Sequence, residues 1–225
     1  MAKCRFIFFD VGNTLLFPNR ARILAPLPED RHPTLKDWQA LERRTKQEFD
    51  LGMNSGKVDH SFWWIFHTYL LQGTNGVDDP VDGGIRDALI ANTQNSANWD
   101  QILPGTRDAL ERIRQECKIA VISNSDGKID AVLQRCGIAD CFQSITDSGN
   151  VGHEKPHPAI FEAALREMKA EPADSLYVGD VYSIDYVGAG KAGMHAVLFD
   201  VAGAYREGES PRVESLAGLQ DWLKQ

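Results

Sequence analysis

Phe6-Ile7-Phe8-Phe9-Asp10-Val11-Gly12-Asn13-Thr14-Leu15 constrains the architecture of this chain more than any other segment. Four consecutive apolar residues, three of them aromatic, describe a strand buried on both faces rather than one that alternates between core and water. The run stops at a carboxylate, and the Gly12-Asn13 pair behind it suits a sharp turn of the backbone. Open α/β sheets bind their ligands outside the carboxyl ends of the strands, so Asp10 sits where a site belongs. By itself the stretch leaves a second reading open, in which Asp10 only caps the turn that follows.

With 225 residues and 43% apolar content, the chain can hold one large domain, or a core with a smaller insert, around a proper interior. A net charge of -8 argues against nucleic acid or an anionic membrane as the main partner. No apolar run is long enough for a membrane helix, and the N-terminus lacks the layout of a signal peptide. A cytoplasmic protein with no membrane partner is therefore expected. Cys4, Cys117, Cys136 and Cys141 show no C-x-x-C spacing, so they suggest neither a zinc site nor a dithiol motif and read as reduced core residues.

Past Leu16 the composition changes. Pro18, Pro26, Pro28 and Pro33 interrupt regular structure. From Thr34 to Leu51 the pattern is helical, with Leu35, Trp38, Leu41, Thr45 and Phe49 recurring at spacings of three and four. A turn over Gly52–Gly56, a helix from Phe62 to Leu71, a loop from Gln72 to Gly84 and a helix from Ile85 to Asn92 are expected next. Nothing between residues 18 and 100 reads as a strand. Beyond it, helix and strand alternate: a helix capped by Thr106, a strand Lys118–Ile122, a helix Lys128–Arg135 stopped by Gly137 and a short strand Ser144–Thr146. A helix opened by Pro158, a strand Leu176–Val178, a helix from Asp185 to Ala192, a strand His195–Phe199 and a tail helix Leu216–Leu223 complete the series. Such alternation predicts a parallel sheet with helices on both faces. The expected layout is a core of residues 1–16 and 101–225, interrupted by a helical subdomain of residues 17–100.

Three of these strands end in functional groups: Asp10, Ser123-Asn124 and Asp180. Lys155 lies in a loop between another strand and its helix, and Asp185 follows Asp180. All can converge on one crevice although they are far apart in sequence. Hard carboxylate oxygens suit Mg²⁺, which keeps several waters and bridges to phosphate. An ammonium and a hydroxyl can hold phosphate oxygens while a carboxylate attacks phosphorus.

Four segments resemble the motifs of the haloacid dehalogenase superfamily, in that family's order. They are Phe8–Leu15, Val121-Ile122-Ser123-Asn124, Gly152-His153-Glu154-Lys155-Pro156-His157-Pro158-Ala159-Ile160-Phe161, and Val178–Asp185 with its two acids five residues apart. The helical insert after the first motif is similar to the cap of the family's C1 branch. The resemblance covers essentially the whole chain and implies a Rossmannoid core under a helical cap. It further implies that Asp10 is the nucleophile, forming an aspartyl-phosphate. Mg²⁺ would be held by Asp10, the Gly12 carbonyl, Asp180 and Asp185, the last directly or through water. Ser123 and the Asn124 amide would grip the phosphoryl group, and Lys155 would neutralise charge shared with Asp10. The implied partner is a small phosphorylated molecule; oligomeric state is open.

One position departs from the pattern. Hydrolytic members carry a second Asp two residues after the nucleophile, as general acid and base, and this chain has Gly12 there. Loss of such a group costs ~10²–10⁴-fold in rate. Inefficient phosphatase action is one consequence; His60 or His67 from the insert as a substitute donor is another. The alternatives are 2-haloacid dehalogenation, phosphonate hydrolysis with Lys57 as a Schiff-base lysine, and a non-catalytic protein that binds a phosphate ligand. Retention of both Asp180 and Asp185 speaks against dehalogenation, because uncompensated acids would repel a carboxylate nucleophile. His153 and His157 read as loop residues, and Phe62, Trp63, Trp64, Phe66 and Tyr69 as packing within the insert.

Overall fold

The computed structural model describes residues 5–56, 61–75 and 82–224. In chain order the elements are β1 (Phe6–Phe9), α1 (Arg20–Ile23), α2 (Leu35–Ser55), α3 (Phe62–Asn75), α4 (Asp82–Gln94), α5 (Thr106–Ile113), β2 (Lys118–Ser123) and α6 (Ile129–Arg135). There follow β3 (Ile145–Asp147), α7 (Ser148–Val151), α8 (Pro158–Met168), β4 (Ser175–Gly179), α9 (Val187–Lys191), β5 (His195–Phe199), β6 (Arg212–Val213) and α10 (Leu216–Trp222).

The strands form one sheet in the order β3-β2-β1-β4-β5-β6, every pairing parallel. The unbroken apolar run of β1 has a simple cause. Ile7 and Phe9 pack on one side with residues of α5, α6 and α10, while Phe6 and Phe8 pack on the other with α8 and α9. Successive side chains point to opposite faces, so a strand covered on both sides is apolar at every position. Phe9 lies opposite Val121 of β2 and Val178 of β4, which brings Asp10, Ser123 and Asp180 out at the same edge.

Between β1 and β2 the helices α1–α4 have an apolar centre of their own, including Ile23, Leu24, Trp38, Phe66, Leu70 and Leu89. The chain leaves and re-enters the sheet at one place, where the Phe17 and Gln101 backbones exchange hydrogen bonds of 2.7 and 3.1 Å.

Several expectations shift. Helix α2 is opened by Thr34, whose hydroxyl accepts from the Asp37 amide, and it continues through Gly52 to Ser55. Gly56, at φ 67°, provides the left-handed stop. Helices α3 and α4 extend into the segment expected to be loop, to Asn75 and from Asp82, since a formed helix propagates cheaply through a further polar turn. Thr106 does not cap α5: it is the first helical residue, and Gly105 at φ 81° precedes it. In place of one helix from Asp185 to Ala192, a π-helical turn over Tyr182–Tyr186 carries Asp185 into α9. The short elements α7 and β6 have too few residues to show a period. Lys57, His60 and Cys4 lie outside the described residues, and no disulfide joins Cys117, Cys136 or Cys141. Among the described residues no helix is long and apolar enough to cross a membrane.

Candidate active site

The carboxyl edge of the sheet opens into a cavity of about 830 Å³ between the strand ends and α2–α4. Asp10, Gly12, Ser123, Asn124, Lys155, Asp180 and Asp185 all line it, so each sequence-predicted site residue reaches the same space. Asp10 follows β1, its amide donating to the Val178 carbonyl at 2.8 Å. The turn behind it closes through Leu15 and Leu16 amides on the Val11 carbonyl, with Asn13 in the left-handed region at φ 53°. Asn and Gly tolerate that region best, and here Asn13 takes it rather than Gly12.

Lys155 is the hub. Its ammonium lies 2.6 Å from Asp10 Oδ1, 2.8 Å from Asp185 Oδ1 and 2.8 Å from the Tyr177 hydroxyl, with its side chain almost wholly buried. Asn124 fixes the loop that carries it: Asn124 Nδ2 donates to the Lys155 carbonyl at 3.0 Å, and the Lys155 amide donates to Asn124 Oδ1 at 2.7 Å. The Asn124 side chain thus holds the lysine loop, a role beyond the backbone amide expected of it. Asp147 holds the neighbouring loop, accepting from the Gly127, Ile129 and Gly149 amides.

Asp185 is engaged on both oxygens. Oδ1 takes Lys155 and the Tyr177 hydroxyl, and Oδ2 accepts from the Val181 amide at 2.9 Å. Asp10, Asp180 and Asp185 each offer an oxygen within 4.8 Å of the others, and all three are buried. Burial pushes the Asp10 carboxyl up to about 6; Lys155 opposes this and Asp185 adds to it. Burial likewise raises Asp180 to about 7, against the pull of Lys46 and with further push from Asp10 and Asp185.

Two neighbours of these residues are not evident from the sequence. Tyr177 stands in β4 among core residues, yet its hydroxyl completes the Lys155–Asp185 contact. A buried tyrosine needs a partner for its hydroxyl, which is the signal that was available. Lys46 comes from α2, fully buried, with Nζ 2.7 Å from Glu42 Oε1 and 2.8 Å from Asp180 Oδ2. These are charge contacts without the alignment of directed hydrogen bonds. Nearby, Asp50 accepts from the Ser183 amide and the Tyr205 hydroxyl, so α2 is sewn to the loops after β4 and β5.

His67 does not serve as the substitute donor. It is fully buried and absent from the cavity lining; its Nε2 lies 2.8 Å from Thr93 Oγ1, which itself donates to the Leu89 carbonyl. Burial pushes its pKa down to about 4, leaving a neutral ring. His153 and His157 stack on each other on the outside of the Lys155 loop, and the His157 ring caps α8. The aromatic residues of α3 divide. Phe66 stays in the centre of the helical layer, whereas Phe62 and Trp63 face the cavity, with Trp63 against Trp99 at 5.5 Å.

A sequence model of the haloacid dehalogenase-like hydrolases matches residues 4–193. The chain belongs to that family. This hydrolase is 30% identical over 214 residues to the haloacid dehalogenase-like hydrolase domain-containing protein 3 of Mus musculus, covering 90% of this chain and 83% of the relative. It is 33% identical over 214 residues to a glyceraldehyde 3-phosphate phosphatase of Pyrococcus furiosus, covering 92% of this chain and 85% of that protein. Among solved structures, the hydrolase YfnB from Bacillus subtilis, bound to magnesium, superposes with a TM-score of 0.69 at 20% identity, over 99% of this chain and all of that one. That last likeness concerns the fold.

Proposed function

We propose that this hydrolase is a Mg²⁺-dependent phosphatase of small phosphomonoesters that works through Asp10, with residues 17–100 forming a cap over a core of residues 1–16 and 101–225. The observation that carries the reading is the balance of charge around Asp10. Asp10, Asp180, Asp185 and Glu42 are met by the two ammonium groups of Lys155 and Lys46. With all four acids ionised, two negative charges are left over in a buried place, which is the charge of one divalent cation; the raised pKa values of Asp10 and Asp180 are the response to burial and to that excess. The donor atoms are hard carboxylate oxygens, the kind Mg²⁺ takes. Kinship with a glyceraldehyde 3-phosphate phosphatase supports phosphorus as the reacting centre.

Asp10 and Asp180 would hold the ion with the Gly12 carbonyl, and Asp185 would stand behind them, oriented by Lys155, Tyr177 and the Val181 amide. When bound, the ion supplies charge neutralisation for phosphate and nucleophile alike. One Asp10 oxygen attacks phosphorus as the bond to the leaving oxygen breaks. Ser123 and the Asn124 amide hold the phosphoryl oxygens, and Lys155 balances the charge passing between Asp10 and phosphate. With Gly12 in place of an acid, the leaving oxygen takes its proton from water. Water then attacks the phosphoryl group, restoring the Asp10 carboxylate and releasing phosphate.

The test is a panel of phosphomonoesters together with acetyl phosphate, assayed in Mg²⁺ and in EDTA. Phosphate release is expected only with metal, and Asp10→Asn is expected to abolish it. Release that persists in EDTA, or in a folded Asp10→Asn protein, removes the reading. Tight phosphate binding without turnover on any member would select a non-catalytic binding protein instead.

A further inference from the structure

The cavity wall facing the phosphate end differs in character from the acid-rich floor. Phe49, Phe62 and Trp63 line it from the helical layer, with Phe49–Phe62 and Phe62–Trp63 ring centroids 5.6 and 5.0 Å apart. Ser96 lines it too, its side chain buried and its hydroxyl beside the Asp126 carboxylate. Two further acids of the lining, Asp126 and Glu154, are exposed to solvent and so mark its outer end. Among the described lining residues the one cation is Lys155, already spent on Asp10, Asp185 and Tyr177.

We infer that this wall is a leaving-group subsite for a flat organic moiety that is uncharged or cationic, and that it rejects a second anionic group on the substrate. The inference rests on the phosphatase reading and deepens it. A planar ring gains area against Phe62 and Trp63, and an amine on it gains the aromatic faces and the acids at the mouth. A carboxylate or second phosphate in the same place meets Asp126 and Glu154 with no cation to offset them, and like charges brought together at a site are the usual means of rejection. The Ser96 amide donates to Asp126 Oδ2 at 3.4 Å, so hydroxyl and acid belong to one local structure.

A matched pair of esters tests this: 4-(aminomethyl)phenyl phosphate against 4-carboxyphenyl phosphate, with acetyl phosphate as the reference whose leaving group is too small to reach the wall. The wild-type protein is expected to favour the aminomethyl ester in kcat/KM by about tenfold, chiefly through KM. Asp126→Lys is expected to erase or invert that ratio, Asp126→Asn to reduce it, and both to leave acetyl phosphate turnover unchanged. Phe62→Ala is expected to raise KM for both aryl esters. Equal kcat/KM for the two esters, or a ratio unmoved by Asp126→Lys in a protein that still turns over acetyl phosphate, overturns the subsite. Failure of the wild-type protein to hydrolyse acetyl phosphate in Mg²⁺ strikes the phosphatase reading instead, and the subsite falls with it.

Discussion

Lys46 Nζ lies 2.8 Å from Asp180 Oδ2, tying a helix inserted between β1 and β2 to the carboxylate at the end of β4. The lysine has no exposed surface, and its second neighbour is Glu42 of its own helix. Removing one partner of a buried ion pair strands the other charge, at a cost of about 3–5 kcal/mol. Lys46→Met is therefore expected to lower unfolding free energy by about that amount in urea denaturation. Adding Glu42→Gln is expected to recover part of the loss, since one of the stranded acids disappears. A Lys46→Met protein as stable as the parent would show that the contact contributes nothing.

The acids beside this pair set the response to pH. The folded pKa of Asp10 is about 6 and that of Asp180 about 7, both above the unfolded carboxyl value. A raised folded pKa means stability present below the unfolded value, about pH 4, and lost as pH climbs through the folded one. Asp10 faces Lys155, Asp185 and Asp180; Asp180 faces Lys46, Glu42, Asp10 and Asp185. In EDTA the melting temperature is expected to fall between pH 5 and pH 8, the two acids together outweighing buried His67, whose lowered pKa works the other way up to about pH 6.5. Mg²⁺ is expected to flatten the fall, because a divalent ion favours the ionised carboxylates, and Asp10→Asn is expected to reduce its slope. Thermal melts at fixed ionic strength check this; a melting temperature that rises over the range in EDTA contradicts it.

The sheet and the convergence of Asp10, Ser123 and Asp180 could be read from sequence because strand ends in a parallel sheet share one edge, and Lys155 joined them through the motif that contains it. The α2 seam could not. Its apolar spacing marked Leu35, Trp38, Leu41, Thr45 and Phe49 as the inward stripe, yet Leu35 is 60% exposed while Glu42, Lys46 and Asp50 are buried. A period shows which residues share a face. It does not show that a face of charges will be buried against charges elsewhere, since that depends on partners more than a hundred residues away, Asp180 and Ser183. Tyr177 was hidden for the same reason, as an aromatic residue in a core strand looks like packing until its hydroxyl is placed.

Gly179 owes its identity to Asp185. A Cβ on Gly179 would stand 2.5 Å from Asp185 Cγ and 2.7 Å from its Cβ, closer than real contacts allow. The obstructing atoms belong to a side chain held at both oxygens, so it cannot swing clear without giving up Lys155, Tyr177 or the Val181 amide. Gly179→Ala is expected to cost about 1–3 kcal/mol, as overpacking does. It is also expected to weaken Mg²⁺ binding measured by calorimetry. A variant with unaltered stability and unaltered Mg²⁺ affinity would mean that Asp185 moves freely.

Gly12 is the opposite case, a glycine with room beside it. A Cβ there would meet the Trp99 ring at 3.5 Å, ordinary van der Waals contact, and the backbone is outside the left-handed region. The Trp99 ring is fixed by its Nε1 hydrogen bond to the Thr93 carbonyl at 2.7 Å and by the Trp63 ring 5.5 Å away, so it forms a firm edge along which a short side chain can extend into the cavity. A carboxyl group placed there can protonate the leaving oxygen and then activate water, a pair of tasks worth ~10²-fold or more. Gly12→Asp is accordingly expected to raise turnover of alkyl phosphomonoesters by about one to two orders of magnitude. Acetyl phosphate should gain less, since its leaving group departs without protonation. Gly12→Asn, of equal size but unable to transfer a proton in this way, is the control and is expected to bring no gain. A correctly folded Gly12→Asp protein with turnover no higher than its parent would mean that a missing acid is not what limits this enzyme.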